Sequence, residues 1–186
     1  VPCAVAADLR KGPLENARAT VRANGIDDKV QLRISDGLNS VLPEEIDDIV
    51  IAGMGGILIK EIIEAAPWTA DKSKRLILQP QSHSENIREF LWNNGFSIFN
   101  EKACFEDEKV YIAFCAEYSG KISSHSDAEI LFGGYPKYDD EASQAFTQKK
   151  LKRLYAREKA LSFNNGDQTE LSKLKGIINE VKKWQQ

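Results

Sequence analysis

Four short stretches of this sequence carry residues whose types could do chemistry. Asp8 closes the apolar run Cys3-Ala4-Val5-Ala6-Ala7. A carboxylate at the carboxyl end of a strand can accept hydrogen bonds from both hydroxyls of a ribose; the alternative is an acid placed against the start of the next helix. Asp36-Gly37 follows the next strand signal. Its carboxylate can hold an adenine amino group while the glycine lets backbone approach a ring edge, and a plain turn is the alternative. Ala52-Gly53-Met54-Gly55-Gly56 is the sharpest feature. Three glycines between a strand and a helix weaken the local backbone, so they serve close approach or positive φ, and the helix start offers free N–H groups. A substrate or a cofactor's reacting end could sit there, or the stretch is only a tight strand-to-helix turn. Neither a GxGxxG nor a phosphate-loop GK[ST] is present. Gln79-Pro80-Gln81 closes a further strand, where Gln79 could read a base edge, position a phosphate or face solvent. His83 reads as a helix-start residue, and Ser123-Ser124-His125-Ser126 as connector; no Ser–His–Asp arrangement is evident.

The elements that must position these residues alternate. A short strand ends at Asp8, Gly12-Pro13 opens a helix with proline in its first turn, and Asn24-Gly25 ends it. Residues 29–34 alternate as a strand, with Val30, Leu32 and Ile34 on one face. Residues 47–52 form the next strand and an apolar helix spans 57–66. Residues 75–78 form a strand closed by Gln79-Pro80. Ser82 or Ser84 could cap a helix that carries Ile87, Phe90, Leu91 and Trp92. Strands at 96–105 and 109–118 meet at the turn Glu106-Asp107-Glu108. Strand–helix repetition followed by a hairpin predicts an α/β fold with a mostly parallel sheet and an antiparallel edge. Polar residues at successive strand ends point to one crevice outside the sheet. The first strand ends in an acid with no glycine-rich loop before it, so the sequence reads as starting one strand–helix unit late.

Residues 119–140 read as a linker. From Glu141 the pattern is helical, with Phe146, Leu151, Leu154, Ala160 and Leu161 on one helix and Leu171, Leu174, Ile177, Ile178 and Val181 on a second; Asn164-Asn165-Gly166-Asp167 breaks between them. This predicts an αα-hairpin over 141–186 behind a domain over 1–118. The chain's 186 residues can bury a sizeable core, and 42% hydrophobic with 28% charged residues excludes disorder. No apolar run approaches the ~20 residues of a membrane span. The N-terminal residues show no secretory leader, and Cys3, Cys104 and Cys115 form no CxxC pair, so reduced thiols, a cytoplasmic setting and no metal are expected. Residues 141–186 hold ten Lys/Arg against five Asp/Glu, a net of +5, which leaves −8 for residues 1–140 of the total −3. A basic tail on an acidic body suggests a polyanion partner, unless the tail is simply a solvated charged helix.

The order of Asp8-Leu9 with Gly12-Pro13-Leu14, Ser35-Asp36-Gly37-Leu38, Ile51-Ala52-Gly53-Met54-Gly55-Gly56, Arg75-Leu76-Ile77-Leu78-Gln79-Pro80 and Ile87-Arg88-Glu89-Phe90-Leu91 resembles the bacterial tRNA (adenine-22-N1)-methyltransferase family, TrmK. The resemblance covers residues 1–118 in motifs and the C-terminal helical pair in layout. It implies a class I, Rossmann-like, S-adenosylmethionine-dependent methyltransferase with a C-terminal coiled-coil-like domain, acting on N1 of a tRNA adenine. It implies that Asp8 holds the cofactor ribose, Leu9 flanks the adenosine, Asp36 and Gly37 contact the adenine, and Ala52 and Gly53 border the cofactor. Gly53, Met54 and Gln79 would line the target-base pocket, with no single catalytic residue identifiable. The family's first motif, acidic and glycine-containing, belongs upstream of Asp8, so an N-terminally incomplete chain is expected.

Adenine N1 carries an in-plane lone pair and the sulfonium methyl is already activated, so such a reaction needs in-line positioning and desolvation. A paired N1 is out of reach, so the base must be unpaired or flipped out. Lys149, Lys150, Lys152, Arg153 and Arg157 fall within about two and a half helical turns and are the expected tRNA-backbone contacts. A monomer is expected. Two other readings fit the residues: a nucleotide-dependent oxidoreductase with Asp8 on an NAD ribose, and a degenerate α/β scaffold whose helical hairpin binds a protein.

Overall fold

A computed structural model describes residues 3–163 and 166–186; residues 164 and 165 of the expected helix break lie outside the described residues. The chain divides into two compact units, Val1–Asp47 with Glu61–Thr69, and Asp48–Lys60 with Ala70–Gln186.

In the first unit, β1 (Ala4–Asp8) and β2 (Val30–Ile34) pair in parallel, from Ala4 opposite Val30 to Asp8 opposite Ile34. Helix α1 (Lys11–Ala23) joins them and buries Leu14. It stops at Asn24, whose N–H and side-chain amide both donate to the Thr20 carbonyl, and Gly25 takes φ +62°, the left-handed conformation that glycine adopts without a Cβ clash. The loop after β2 is pinned by Arg33. Its Nη1 donates to the Ser40 carbonyl at 2.6 Å and to Glu45 Oε2 at 2.8 Å, and its Nη2 reaches Glu45 Oε1 at 3.0 Å. The Arg33 hydrogen bonds, with one from the Leu42 N–H, pull the Glu45 carboxyl down to about 2.

In the second unit, β3 (Asp48–Gly55), β4 (Arg75–Ser82), β5 (Phe96–Glu106) and β6 (Lys109–Tyr118) form a sheet in the order β3-β4-β6-β5. The β3–β4 pair is parallel; β4–β6 and β5–β6 are antiparallel. Leu76 and Leu78 of β4 and Phe114 and Ala116 of β6 are buried, the alternation that a half-covered sheet requires. Helix α2 (Gly56–Glu64) follows β3 and α3 (Ser84–Asn93) follows β4. β4 continues through Gln79-Pro80 rather than ending there. It pairs with β6 only from Arg75 to Leu78, so Pro80 costs that neighbour no hydrogen bond. Neither Ser82 nor Ser84 caps α3. The chain turns at His83 in the left-handed region (φ +52°), which makes His83 the cap residue, and the Ser84 hydroxyl accepts from Arg88 Nη1 at 3.3 Å.

Residues 119–140 are not a bare linker. They hold α4 (Asp127–Phe132), capped by the Ser126 hydroxyl, and a 3-10 turn over Tyr135–Lys137. Ala128, Phe132 and Tyr135 are fully buried. Helices α5 (Glu141–Phe163) and α6 (Gln168–Trp184) follow, and the Asp167 carboxylate accepts from the Thr169 and Glu170 N–H groups to start α6. Leu151 of α5 packs with Phe132 of α4 and with Ile177, Ile178 and Val181 of α6, whereas Phe146 of α5 packs on Ile112 of β6 and Tyr135. Through Phe146, α5 thus packs on the sheet of its own unit, while α6 packs on α5 and α4.

Candidate functional site

In the first unit, β1–β2 pairing places Asp8 directly beside the start of the next loop: the Ser35 N–H donates to the Asp8 carbonyl at 3.0 Å. Asp8 Oδ1 accepts the Arg10 N–H at 2.8 Å, so one carboxylate oxygen shapes the turn into α1 and the other remains to accept. Leu9, on that turn, is 63% exposed. The buried Ser35 hydroxyl accepts the Ser40 N–H at 3.0 Å and closes the loop that presents Asp36. Gly37 has φ +54°, and a Cβ there would lie 3.1 Å from the Ile62 side chain, so a side chain at this position is both strained and crowded. The Asp36 carboxylate is exposed. The second Asp8 carboxylate oxygen and the exposed Asp36 carboxylate are acceptors that suit an adenosine, whose ribose hydroxyls and amino group are donors.

In the second unit, the glycine stretch is a bulged strand end. Ala52 pairs with Gln79, but Met54 pairs with Pro80 and Gly55 with Ser82, so the register slips twice. Gly53 takes φ +77°, and its N–H donates to Gln79 Oε1 at 2.8 Å. That bond fixes the amide orientation and leaves Gln79 Nε2 buried without a partner. Gly56 is demanded by sterics: a Cβ would lie 2.2 Å from the His83 carbonyl oxygen and 2.8 Å from that of Ser82. Ala52 and Gly53 are exposed and Met54 half-buried. The strand pairing thus brings Gly53 and Gln79 together.

An open cleft of about 690 Å³ begins where β4 passes Pro80; it lies between the β4–α3 turn, the first residues of β6 and α5. The five basic residues of α5 divide around it. Lys149, Lys150 and Arg153 line it, exposed Lys152 does not, and Arg157 is engaged with Glu170 through two hydrogen bonds of 2.8 and 2.9 Å. Lys150 is held inside the protein: Nζ donates to the Leu131 carbonyl at 2.6 Å and to Glu85 at 3.2 Å. The reason is its place on α5, where Nζ meets the end of α4 and the start of α3. Sequence reasoning missed Lys109, Tyr111 and His83 as cleft residues.

Burial, opposed by Glu85 and reinforced by Arg88 and Arg153, lowers the Lys150 amine from 10.5 to about 8. Between those values the unfolded chain binds a proton that the folded one does not. Stability is therefore expected to rise as pH climbs from about 8 toward 10.5, as the folded amine is freed of its charge. Urea denaturation across that window, compared with Lys150→Met, checks this: the variant should lose that part of the rise.

Among the described residues, no group of His, Cys, Asp and Glu could hold a metal ion, and no helix is long and apolar enough to cross a membrane. Comparison with known proteins gives this geometry a context. A family model described as tRNA (adenine(22)-N(1))-methyltransferase matches residues 1–184. The tRNA (adenine(22)-N(1))-methyltransferase of Bacillus subtilis (strain 168) is 34% identical over 130 residues, 70% of this chain and 55% of the relative, so the chain spans about half the length of the curated relative it matches. A Streptococcus pneumoniae candidate tRNA (m1A22) methyltransferase, solved in complex with S-adenosyl-L-methionine, is 29% identical; the match covers 100% of this chain and 82% of that one, with a TM-score of 0.80. A Streptococcus agalactiae protein of the NADB-Rossmann superfamily shares the fold at 24% identity, with a TM-score of 0.81 over 100% of this chain and 80% of its own. The Rossmann-like α/β fold read from the sequence is the fold found. With the family model matching both the strand-rich part and the C-terminal helices, the chain belongs to the tRNA (adenine(22)-N(1))-methyltransferase family, TrmK.

Proposed function

We propose that this protein transfers a methyl group from S-adenosylmethionine to N1 of an adenine in tRNA, at the position-22 site its family is named for. Family membership over residues 1–184 carries the reading. The cofactor supplies an activated methyl on a sulfonium. Asp8 accepts from the ribose hydroxyls, the Asp36 carboxylate holds the adenine amino group, Gly37 lets its backbone approach the ring, and Leu9 covers one side of the adenosine. Ala52 and Gly53 border the cofactor, and Gly53, Met54 and Gln79 form the wall met by the target base. The Gly53–Gln79 hydrogen bond holds that wall rigid, which is what in-line transfer to a lone pair needs. The methylated base is a cation, and acceptors at the strand ends favour it. The tRNA backbone lies on the exposed bases of α5, Lys149, Lys152 and Arg153; Lys150 and Arg157, paired internally, shape that surface. In domain terms, residues 1–118 carry the methyl-transfer machinery and 141–186 the tRNA-binding helices.

The reading is tested by labelled methyl transfer from S-adenosylmethionine to unmodified bacterial tRNA, with calorimetry of cofactor binding alongside. Asp8→Asn exchanges an anionic acceptor for a neutral one and should weaken S-adenosylmethionine binding about tenfold or more, with thermal stability little changed. Equal affinity for the cofactor in wild type and Asp8→Asn contradicts the assigned role, and binding of NAD in its place contradicts the reaction.

A further inference from the structure

We propose that the cleft beside the carboxyl end of β4 holds the RNA phosphodiester backbone flanking the target adenosine, gripped by Lys109 from β6 and by Lys149 and Arg153 from α5. This rests on the tRNA reading above. It adds a residue outside the basic helix and gives the cleft one ligand chemistry, a phosphodiester.

Lys149 and Arg153 are four residues apart and share a helix face. Lys109 stands on the wall formed by the first residues of β6. Among the described residues, none of the three has an ion-pair partner, unlike Lys150 and Arg157. The acid in the cleft lining, Glu85, is already taken by Lys150. The cleft therefore keeps an excess of positive charge on two walls, where an anion lying between them meets cations from both.

Shape and place narrow the ligand. A volume of about 690 Å³ is in the range that accommodates a small organic ligand and exceeds what one inorganic anion fills. The half-buried Tyr111 adds ring surface to the same lining, and cations beside an aromatic ring are the combination that single-stranded nucleic acid uses through phosphates and stacked bases. The cleft starts at Pro80, one residue past Gln79, at the strand end where α/β folds bind ligands. A nucleotide pulled out of a helix to expose N1 leaves its flanking phosphates close to the base pocket, so cations near that strand end meet those phosphates first.

The test uses the full protein, expressed with any native sequence that precedes residue 1. The probes are a tRNA and the same tRNA with a neutral methylphosphonate linkage on either side of the target adenosine. K149A/R153A and K109A should each weaken tRNA binding about tenfold or more, and the double variant should flatten the log–log salt slope by about 2. Cofactor affinity and melting temperature should hold, and K149R should keep wild-type binding. Wild type should lose affinity for the neutralised RNA, whereas K149A/R153A should lose little more, because the charge partner is already gone. Fully additive losses, or unchanged tRNA binding in these variants, overturn the cleft assignment while leaving methyl transfer intact. A wild-type protein that neither binds nor methylates tRNA overturns the underlying reading as well.

Discussion

Arg88→Met is expected to destabilise the fold by about 3–5 kcal/mol, the usual consequence of removing one partner from a buried ion pair. Arg88 is fully buried. Its Nε donates to Glu101 Oε1 at 3.1 Å, its Nη1 reaches the Ser84 hydroxyl at 3.3 Å and the Ile130 carbonyl at 3.4 Å, and the guanidinium lies over the Phe114 and Tyr135 rings. Glu101 also accepts the Gly134 N–H, so this one pair ties α3, β5 and the segment after α4 together. Gly133 sits at φ +63° against it, where a Cβ would be 2.3 Å from Glu101 Oε1. Methionine fills much of the volume but leaves the Glu101 carboxylate buried without its cation. R88M/E101Q removes that charge while keeping an acceptor for Gly134. The double variant should therefore recover part of the loss in urea denaturation. Equal stability of wild type and R88M contradicts the role given to this pair.

Gly56→Val is the second large effect. Its Cβ would be built 2.2 Å from the His83 carbonyl oxygen and 2.8 Å from the His83 carbonyl carbon, and these are backbone atoms that cannot swing aside. The expected loss exceeds the usual overpacking range of about 1–3 kcal/mol, read as a fall in melting temperature. Where the variant still folds, β3 and α2 must part from the β4–α3 turn, carrying Gly53 away from Gln79. A shift of about 1 Å at a positioning site costs about a hundredfold in rate, so methyl transfer should fall by at least that. Gly12→Ala is the control: a Cβ at Gly12 meets nothing within 4 Å, and the variant should behave as wild type.

The strands and their order of chemistry are legible because each ends in a residue type that interrupts an apolar run. Asp8, Ser35-Asp36-Gly37 and the glycine stretch stand at or just past strand ends in the structure as they do in the sequence pattern. The hairpin at 106–109 is legible for the same reason, with Asp107 taking the positive φ of its tight turn. What the sequence hides is tertiary. Residues 119–140 look like connector because Gly133-Gly134 and a run of serines dominate them. Yet Phe132 and Tyr135 are buried by partners far away in the chain, and the Tyr135 hydroxyl donates to the Ala113 carbonyl at 3.0 Å. Along α5, lysines one to four residues apart look alike. Only packing shows that Lys150 turns inward to Leu131 and Glu85 while, among the described residues, Lys149 and Arg153 have no ion-pair partner. Lys109 is hidden by its neighbours: next to Glu106-Asp107-Glu108 it reads as local charge balance, and its place in the cleft depends on α5.

The most direct measurement is nucleoside mass spectrometry of unmodified bacterial tRNA after reaction with isotopically labelled S-adenosylmethionine, combined with mapping of the modified position by reverse-transcription arrest. The protein should again carry any native sequence that precedes residue 1. The account predicts labelled N1-methyladenosine at one adenine, with an arrest at position 22 that vanishes when that adenine is replaced by guanine. Label in a different base or at N6 of adenine, or no label in any nucleoside, would contradict it.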